Sequence, residues 1–279
     1  MGFTPLVGAS NENGAFGNTR PGTQAGTSNM KTVLVTGASA GFGASIAEKF
    51  LSEGHKVIAS ARRADRLEQL AARFAGRVHP LALDVTDPGS VARSLADLPQ
   101  AYQDVDVLVN NAGLALGLAP AHEAQLDDWD RMIATNCSGL VHVTRAIIPG
   151  MVRRARGTVI NLGSVAGEVP YPGGNVYGAT KAFVHQFTNN LNADLIGTGV
   201  RATSLEPGLV GGTEFSNVRF AGDDKRAASV YAGTQPLTPE DIADTVYWLA
   251  MLPEHVTVTS MTMMPNCQSF GPLVIKRQF

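Results

Sequence analysis

Short runs of β-branched and aliphatic residues recur along the chain, separated by longer stretches bounded by turn and capping residues. Such runs predict buried strands. The stretches between them predict helices, with Gly54 closing the first, Asp87 capping the third and Pro239 opening the last. The predicted strands are 32–36, 56–60, 78–83, 105–109, 158–162, 200–205 and 256–263. The predicted helices are 44–52, 65–74, 88–98, 126–151, 176–196 and 239–251.

This alternation of strands and helices predicts the α/β class. Repeated βαβ units give one parallel sheet with helices on both faces, and strands covered on both faces should be apolar throughout, as these are. The pattern predicts a single domain over residues 30–265. In such sheets ligands bind beyond the carboxyl ends of the strands, so the loops that follow the strands are the places to look for chemistry.

The two ends of the chain differ from this pattern. Residues 1–29 are rich in Gly, Asn, Thr and Ser and lack the basic start and apolar stretch of a signal peptide, so we expect a flexible N-terminal tail or tag, with Met30 as a possible natural start. Residues 266–279 form a C-terminal tail with an apolar end, which suggests a subunit interface.

Composition and charge exclude several classes of function. The formal net charge is −2, so there is no basic excess for binding nucleic acid. No run of 18 apolar residues predicts a membrane span. Cys137 and Cys267 are too far apart for a CxxC motif, and two thiols fit a reducing cytoplasm. The 30 glycines, about 11% of 279 residues against a usual ~7%, require an explanation.

Several glycines lie in the turn after the first strand. A strand, a Gly-rich turn and a helix form the context in which a pyrophosphate approaches the backbone and meets the helix N-terminus. The spacing is T-G-x-x-x-G-x-G, wider than the standard dinucleotide fingerprint. The residues of this predicted phosphate site are Gly37, Ser39, Gly41, Phe42 and Gly43.

The end of the second strand indicates which dinucleotide binds. An acidic residue there would hold the ribose of NAD, whereas arginine accommodates the 2′-phosphate of NADP. Arg62 and Arg63 occupy this place, so we expect NADP(H). Asp84, after the third strand and before Val85, either accepts a hydrogen bond from the adenine amine or caps a turn.

Tyr177 and Lys181 lie four residues apart in a predicted helix and therefore on one face of it. A phenol with a pKa of about 10 is a poor base near neutral pH. A neighbouring ammonium would lower that pKa and suit Tyr177 to general acid–base catalysis. Ser164 can bind a substrate oxygen. It is not expected to be an acyl-transfer nucleophile, because Leu162 stands where G-x-S-x-G requires glycine.

Together these residues resemble the short-chain dehydrogenase/reductase family. The resemblance covers 30–265 and implies a Rossmann-like doubly wound parallel sheet of about seven strands, commonly in a homotetramer. The matching positions, in family order and spacing, are Thr36, Gly37, Gly41, Phe42, Gly43, Asn110, Asn111, Ala112, Gly113, Asn136, Ser164, Tyr177, Lys181, Pro207 and Gly208.

The resemblance also implies roles. Tyr177 is the general acid–base, and Lys181 binds the nicotinamide ribose and lowers the Tyr177 pKa. Ser164 positions the substrate oxygen, and Asn136 supports a water in a proton relay. Pro207 and Gly208 pass beside the nicotinamide. The expected cofactor site comprises Gly37, Ser39, Gly41, Phe42, Gly43, Arg62, Arg63, Asp84, Val85, Asn110, Ala112, Gly113, Tyr177, Lys181, Pro207, Gly208 and Val210.

The segments 174–184 and 206–220 are similar to the NADP-dependent 3-hydroxy acid dehydrogenase subgroup. That similarity implies oxidation of serine, allo-threonine or 3-hydroxypropionate, or reduction of the matching semialdehyde. One alternative is reduction of sulfoacetaldehyde to isethionate, and a remote one is a non-catalytic NADP-binding sensor. The loop after the sixth strand is one residue longer than the family pattern, so the backbone of Val210 rather than Thr213 is expected at the carboxamide.

A small anionic alcohol or aldehyde needs a cation or backbone N–H groups near the reacting carbon. Arg219, in the loop after the sixth strand, is one candidate, with a surface ion pair as the alternative. Gly211 offers backbone N–H, and Tyr171 and Asn175 lie just before the catalytic Tyr. The predicted substrate site is Ser164, Tyr171, Asn175, Gly211 and Arg219. No metal is expected, since His122-Glu123 lacks a second His at helical spacing.

Overall fold

A computed structural model describes residues 30–271 and residue 275. Seven parallel strands form one sheet in the order β3-β2-β1-β4-β5-β6-β7. The α/β fold with about seven parallel strands is therefore confirmed. The strands are β1 Thr32–Thr36, β2 Lys56–Ala61, β3 Val78–Ala82, β4 Val107–Asn110, β5 Gly157–Leu162, β6 Val200–Pro207 and β7 Ser260–Met263.

Nine helices accompany the sheet in the described residues. They are α1 Gly41–Ser52, α2 Ala64–Arg73, α3 Pro88–Ala96, α4 Leu126–Ile133, α5 Leu140–Arg153, α6 Asn175–Asp194, α7 Phe215–Arg219, α8 Asp224–Ser229 and α9 Pro239–Ala250. Short 3₁₀ turns lie at Gln100–Tyr102 and Val165–Gly167, and a π-helical segment spans Ala134–Gly139.

The strands alternate their side chains between two apolar layers. In β1, Val33 and Val35 join the core formed with α1, α2 and α9, whereas Leu34 joins the core formed with α3, α5 and α6. All three side chains are fully buried. This two-sided burial explains why the central strands β1 and β4 are largely apolar, and it fixes the sheet between two helical layers.

The strand order reverses between β1 and β4, where β1 pairs with β2 on one side and with β4 on the other. The chain leaves these neighbouring strands in opposite directions, so a crevice opens at their carboxyl ends. The fold thus brings the loops after β1, β4 and β5 to the same edge of the sheet.

The clearest differences from the predicted elements are a divided helix, a shorter last strand and two short helices that were not predicted. The helix predicted over 126–151 is divided by the π-helical segment, where Gly139 packs on Val85 so closely that a Cβ would lie 2.5 Å from Val85 Cγ2. The last strand begins at Ser260 rather than 256, because its pairing with β6 covers four residues. The helices α7 and α8 were not predicted, since five and six residues are too short to show a helical period.

The predicted tail over 1–29 lies outside the described residues. In the C-terminal tail, Gln268 pairs with Ile275 in an isolated antiparallel bridge, and Gln268 Oε1 accepts a hydrogen bond from the Leu209 N–H at 2.6 Å. Residues 272–274 and 276–279 lie outside the description. None of the described helices combines the length and apolar character needed to cross a bilayer.

Candidate active site

A cleft of about 400 Å³ opens at the carboxyl ends of the strands, at the reversal in strand order. Its walls come from the loops after β1, β2, β3, β4 and β5, from α6 and from the segment that leads into α7. The lining includes most of the predicted cofactor residues: Gly37, Ser39, Gly41, Phe42, Arg62, Arg63, Asp84, Val85, Ala112, Gly113, Tyr177 and Lys181.

The turn between β1 and α1 forms a cradle of backbone. Gly37 and Gly41 have φ of 69° and 52°, a conformation that glycine adopts without strain. A Cβ on Gly43 would overlap the carbonyl oxygen of Gly37 and lie 2.6 Å from Asn111 Nδ2. The N-terminus of α1 has no side-chain cap, so its first N–H groups are available to an anion. This geometry fits a dinucleotide pyrophosphate.

The mouth of the cleft carries two arginines. Arg63 Nε donates to Ser39 Oγ at 3.2 Å, and Arg63 Nη1 forms an ion pair with Glu214 Oε2 at 2.9 Å. Arg62 is exposed beside them in the lining. Two guanidiniums and a hydroxyl can recognise a ribose phosphate. The carboxylate of Glu214 at this place was not predicted.

Asp84 both caps a turn and lines the cleft. Its Oδ1 accepts hydrogen bonds from the Thr86 N–H at 2.9 Å and from Thr86 Oγ1 at 2.8 Å. Burial acts to raise the pKa of Asp84, but these two hydrogen bonds and the charge of Arg62 together lower it. Capping of the turn and acceptance of a hydrogen bond from the adenine amine, the two roles that the sequence left open, are therefore compatible with each other.

The loop after β4 is fastened to the loop after β1. Thr36 Oγ1 accepts hydrogen bonds from the N–H groups of Asn111 and Ala112, both at 3.0 Å, and Asn111 Nδ2 donates to Thr36 O at 2.8 Å. The predicted Asn110 lies deeper, where its Nδ2 donates to Thr144 and Asn161. Its side chain therefore supports the interior, and Asn111 is the asparagine that lines the cleft.

Ser164, Tyr177 and Lys181 come together at the inner end of the cleft. Tyr177 and Lys181 are buried on one face of α6, and Lys181 Nζ donates to the Leu162 carbonyl oxygen at 2.7 Å. Desolvation lowers the pKa of Lys181 to about 8, and the Cys137 thiol acts to raise it. Ser164 begins the 3₁₀ turn, and its Oγ accepts a hydrogen bond from the Ala166 N–H.

Burial is the largest influence on Tyr177. It raises the pKa of Tyr177 to about 12, and the hydrogen-bonding interaction with Ser164 and the positive charge of Arg219 act to lower it. Lys181 Nζ lies 5.9 Å from the Tyr177 ring centroid, and the Arg219 guanidinium lies 5.6 Å from it. Arg219 therefore acts to lower the pKa of this phenol, and the predicted effect of Lys181 on it remains a prediction.

Asn136 lies in the π-helical segment and is buried. Its Oδ1 accepts from the Leu114 N–H at 2.8 Å, and its Nδ2 donates to Leu114 O at 2.9 Å and to Thr180 Oγ1 at 3.0 Å. The side chain therefore ties the loop after β4 to α6 beside Lys181. Its predicted support of a water remains a prediction.

Three of the five predicted substrate residues, Ser164, Tyr171 and Arg219, interact with Tyr177. Arg219 Nη2 donates to Tyr171 Oη at 2.8 Å, and Arg219 Nε donates to the Gly117 carbonyl oxygen at 3.1 Å. Asn175, at the start of α6, donates to the Ala119 carbonyl oxygen. Together with Ser164, these residues put a guanidinium and hydroxyls near the catalytic phenol.

The loop after β6 differs from the expectation. The Gly211 N–H donates to the Leu237 carbonyl oxygen at 2.9 Å, so it is not free for a substrate. Val210 forms a parallel bridge with Leu237, and the Gly208 N–H donates to Met263 O. Pro207, Gly208 and Val210 lie outside the lining of the cleft, and their contact with a cofactor remains a prediction.

The short chain dehydrogenase family profile matches residues 31–223. The chain belongs to the short-chain dehydrogenase family. It is 57% identical over 245 residues to the "NADP-dependent 3-hydroxy acid dehydrogenase YdfG" of Salmonella typhi, covering 88% of this chain and 99% of that one. It is 47% identical over 247 residues to "Serine 3-dehydrogenase" of Agrobacterium fabrum, covering 88% and 98%.

A solved structure described as the closed form of serine dehydrogenase complexed with NADP⁺ is 54% identical to this dehydrogenase. It aligns with a TM-score of 0.86, covering 88% of this chain and all of the other. The family membership makes this chain an oxidoreductase that acts on CH–OH groups. The Rossmann-like fold, and the family resemblance that the motifs predicted, are thereby confirmed.

Sequence reasoning missed several residues that line the cleft of this dehydrogenase. Glu214, Phe215 and Val218 reach it from the segment around α7, beside Thr213, which the expectation at the carboxamide had set aside in favour of Val210. The Phe215 ring meets the Tyr177 ring edge-on, with centroids 5.8 Å apart. No local motif marks these positions, because their contacts are with residues far away in the chain.

A second cluster of titratable groups is formed by Glu168, His185 and Glu206. Glu206 is buried, and its carboxylate is hydrogen-bonded to His185 Nδ1 and accepts from Ser204 Oγ at 3.1 Å. The exposed Glu168 completes the group, and its hydrogen bond with Glu206 raises the pKa of Glu168 to about 7. His122 and Glu123, which were not expected to bind a metal, form an exposed pair in which His122 Nε2 lies 3.3 Å from Glu123 Oε1.

Proposed function

We propose that this dehydrogenase uses NADP(H) to transfer a hydride between the nicotinamide and a small 3-hydroxy acid or its semialdehyde. The names of the relatives support both the cofactor and the substrate class. The observation that carries the proposal is the guanidinium of Arg219, which lies against the rings of Tyr177 and Tyr171.

We assign the cofactor to the long cleft by its polar groups. The N-terminus of α1 and the glycine cradle would hold the pyrophosphate, and Ser39, Arg62 and Arg63 would hold the 2′-phosphate. The bound nicotinamide supplies or accepts the hydride. Asp84 lines the same cleft near Arg62, where it is placed to accept from the adenine amine.

We assign the proton transfer to Tyr177. During oxidation its oxygen takes the proton of the substrate hydroxyl, and during reduction it returns a proton to the carbonyl oxygen. Ser164 Oγ would hold that same substrate oxygen and so orient the reacting carbon. Lys181 has a pKa near 8 in its buried position, and its ammonium is fixed by the Leu162 carbonyl oxygen, in reach of a ribose hydroxyl.

Arg219 would recognise the acid group of the substrate. Its bonds to Tyr171 and Gly117 use Nη2 and Nε, and we assign Nη1 to the substrate carboxylate. A hydrogen bond to a charged group contributes about 1.5–3 kcal/mol. A sulfonate offers the same charge, so sulfoacetaldehyde reduction to isethionate is the alternative within this site.

The test compares 3-hydroxypropionate with its neutral amide, 3-hydroxypropionamide. Arg219→Ala is expected to lower kcat/KM about ten- to a hundredfold more for the acid than for the amide. Arg226→Ala is the matched control, because Arg226 lies in the neighbouring helix α8 and stacks on Phe220. Equal losses on both substrates would refute the role of Arg219, and faster turnover of isethionate than of 3-hydroxypropionate would favour the alternative.

We further propose that the enzyme is a cytoplasmic homotetramer. Phe183 on α6 is 40% exposed and its ring stacks on Phe187, which leaves apolar helix surface for a partner subunit. Light scattering after size-exclusion chromatography should give four times 29.3 kDa. A monomer at micromolar concentration would contradict this assignment.

A further inference from the structure

The acidic residue Glu214 stands at the arginine end of the cofactor cleft. It is the residue that precedes α7, yet its side chain makes no capping hydrogen bond to that helix. The carboxylate instead reaches Arg63, which is 151 residues away in the chain. Glu214 is therefore directed at the same guanidinium that we assign to the 2′-phosphate of NADP(H).

Each arginine at the cleft mouth already has a carboxylate near it. The charge of Arg62 acts on Asp84, and Arg63 is ion-paired with Glu214. Asp84 and Glu214 are the acidic residues in the described lining of the cleft. A dianionic phosphate entering here meets guanidiniums whose charge is partly compensated, and it meets like charge from Glu214.

We propose that Glu214 is a cofactor-specificity residue that competes with the 2′-phosphate for Arg63. This inference rests on the proposed assignment of Arg63 to that phosphate. The competition weakens NADP(H) binding and leaves NAD(H), which lacks the phosphate, unaffected. Glu214 thus limits the preference for NADP(H) that the two arginines create, and it offers Arg63 a partner when the cofactor leaves.

The strength of the competition depends on how far the Arg63 and Glu214 side chains are exposed to solvent. The side chains of Arg63 and Glu214 are 44% and 48% exposed, so water screens their attraction and the pair exchanges readily. An exposed ion pair of this kind changes an equilibrium by about two- to fivefold. Salt reduces the effect further, because the charges are open to solvent.

The test measures the Kd of NADPH and of NADH by titrating cofactor fluorescence against the purified protein without substrate. The variants are Glu214→Gln, Arg63→Gln and the double variant. Glu68→Gln is the matched control, because Glu68 is an exposed carboxylate on α2 outside the cleft lining. Circular dichroism melting curves verify that each variant is folded.

We expect Glu214→Gln to lower the Kd of NADPH about two- to fivefold at low ionic strength and to leave the Kd of NADH unchanged. This gain should disappear in the Arg63→Gln background and in high salt. Weaker NADPH binding, unchanged NADPH binding, or equal tightening of both cofactors would overturn the competition.

The experiment separates this inference from the proposal on which it rests. If Arg63→Gln binds NADPH as tightly as the wild type, the assignment of Arg63 to the phosphate fails, and the competition fails with it. If Arg63→Gln weakens NADPH but Glu214→Gln does not tighten it, only the competition is refuted.

Discussion

Replacement of Asn136 by alanine tests whether the fastening between the β4 loop and α6 is needed for catalysis. The side chain is 2% exposed and makes three hydrogen bonds, two to the main chain of Leu114 and one to Thr180. Each buried hydrogen bond that is lost lowers the free energy of unfolding by about 1 kcal/mol. We therefore expect Asn136→Ala to lower the free energy of unfolding by about 3 kcal/mol, or roughly 6–12 °C in melting temperature.

The same change should act on activity. A Cβ on Gly113, next to Leu114, would lie 3.6 Å from Lys181 Nζ, so the loop passes close to the lysine that we assign to the ribose. Small displacements of a catalytic group have large effects on rate, and we expect kcat to fall about tenfold or more at a temperature where the variant is folded.

The matched control for Asn136→Ala is Thr144→Val. Thr144 accepts a buried hydrogen bond from Asn110, away from the catalytic residues, so its loss should reduce stability but not kcat. Urea denaturation and steady-state kinetics at 20 °C measure both effects. A loss of stability below 1 kcal/mol, or a wild-type kcat in folded Asn136→Ala, would refute the reasoning.

Three further predictions concern titration and the cofactor loop. Burial raises the pKa of Tyr177 and the charge of Arg219 lowers it. Arg219→Gln should therefore shift the ascending limb of the pH profile of kcat/KM to higher pH, measured for oxidation of a neutral alcohol. An ascending limb at the wild-type pH would contradict this. Gly43→Ala should weaken NADPH binding about tenfold in a fluorescence titration, because its Cβ would displace the loop; wild-type affinity would show that the loop adapts. The pKa of Glu168 rises from 4.5 to about 7 on folding, so its stabilising contribution is complete below pH 4.5 and is lost as pH rises through 7. Urea denaturation should therefore show Glu168→Gln gaining stability relative to wild type between pH 5 and 8, and a constant difference would count against the raised pKa of Glu168.

The sequence predicts best those features that form within one helix or one continuous segment of the chain. Tyr177 and Lys181 are four residues apart in a 20-residue helix, so helix geometry alone places them on one face. The Gly-rich turn is likewise local, since Gly37 follows β1 directly and Gly41 and Gly43 lie in the first turn of α1. The structure agrees with both predictions because no distant contact is needed to form them.

The sequence predicts poorly where contacts between residues far apart in the chain decide the local structure. Nothing in the pattern around Asn136 distinguishes a π-helical turn from an α-helical one, and the packing of Gly139 in this segment on Val85 comes from a distant part of the chain. Glu214 similarly has no local signature, since its partner Arg63 comes from another βα unit. The sequence likewise does not show that Asn111 lines the cleft while the Asn110 side chain bonds Thr144 and Asn161, because both contacts are with residues far away in the chain.

The short helix α7 connects the arginine end of the cleft with the end that holds Tyr177. Glu214 precedes it and pairs with Arg63, Phe215 in its first turn meets the ring of Tyr177, and Arg219 at its end bonds Tyr171. The rigid sheet and α6 fix the catalytic phenol, whereas α7 brings charge to it from outside the core. Since five residues cannot hold a helix in place by themselves, these contacts are what position α7. If a cofactor phosphate takes Arg63 from Glu214, as we propose, the segment that also carries Arg219 loses one of the contacts that position it.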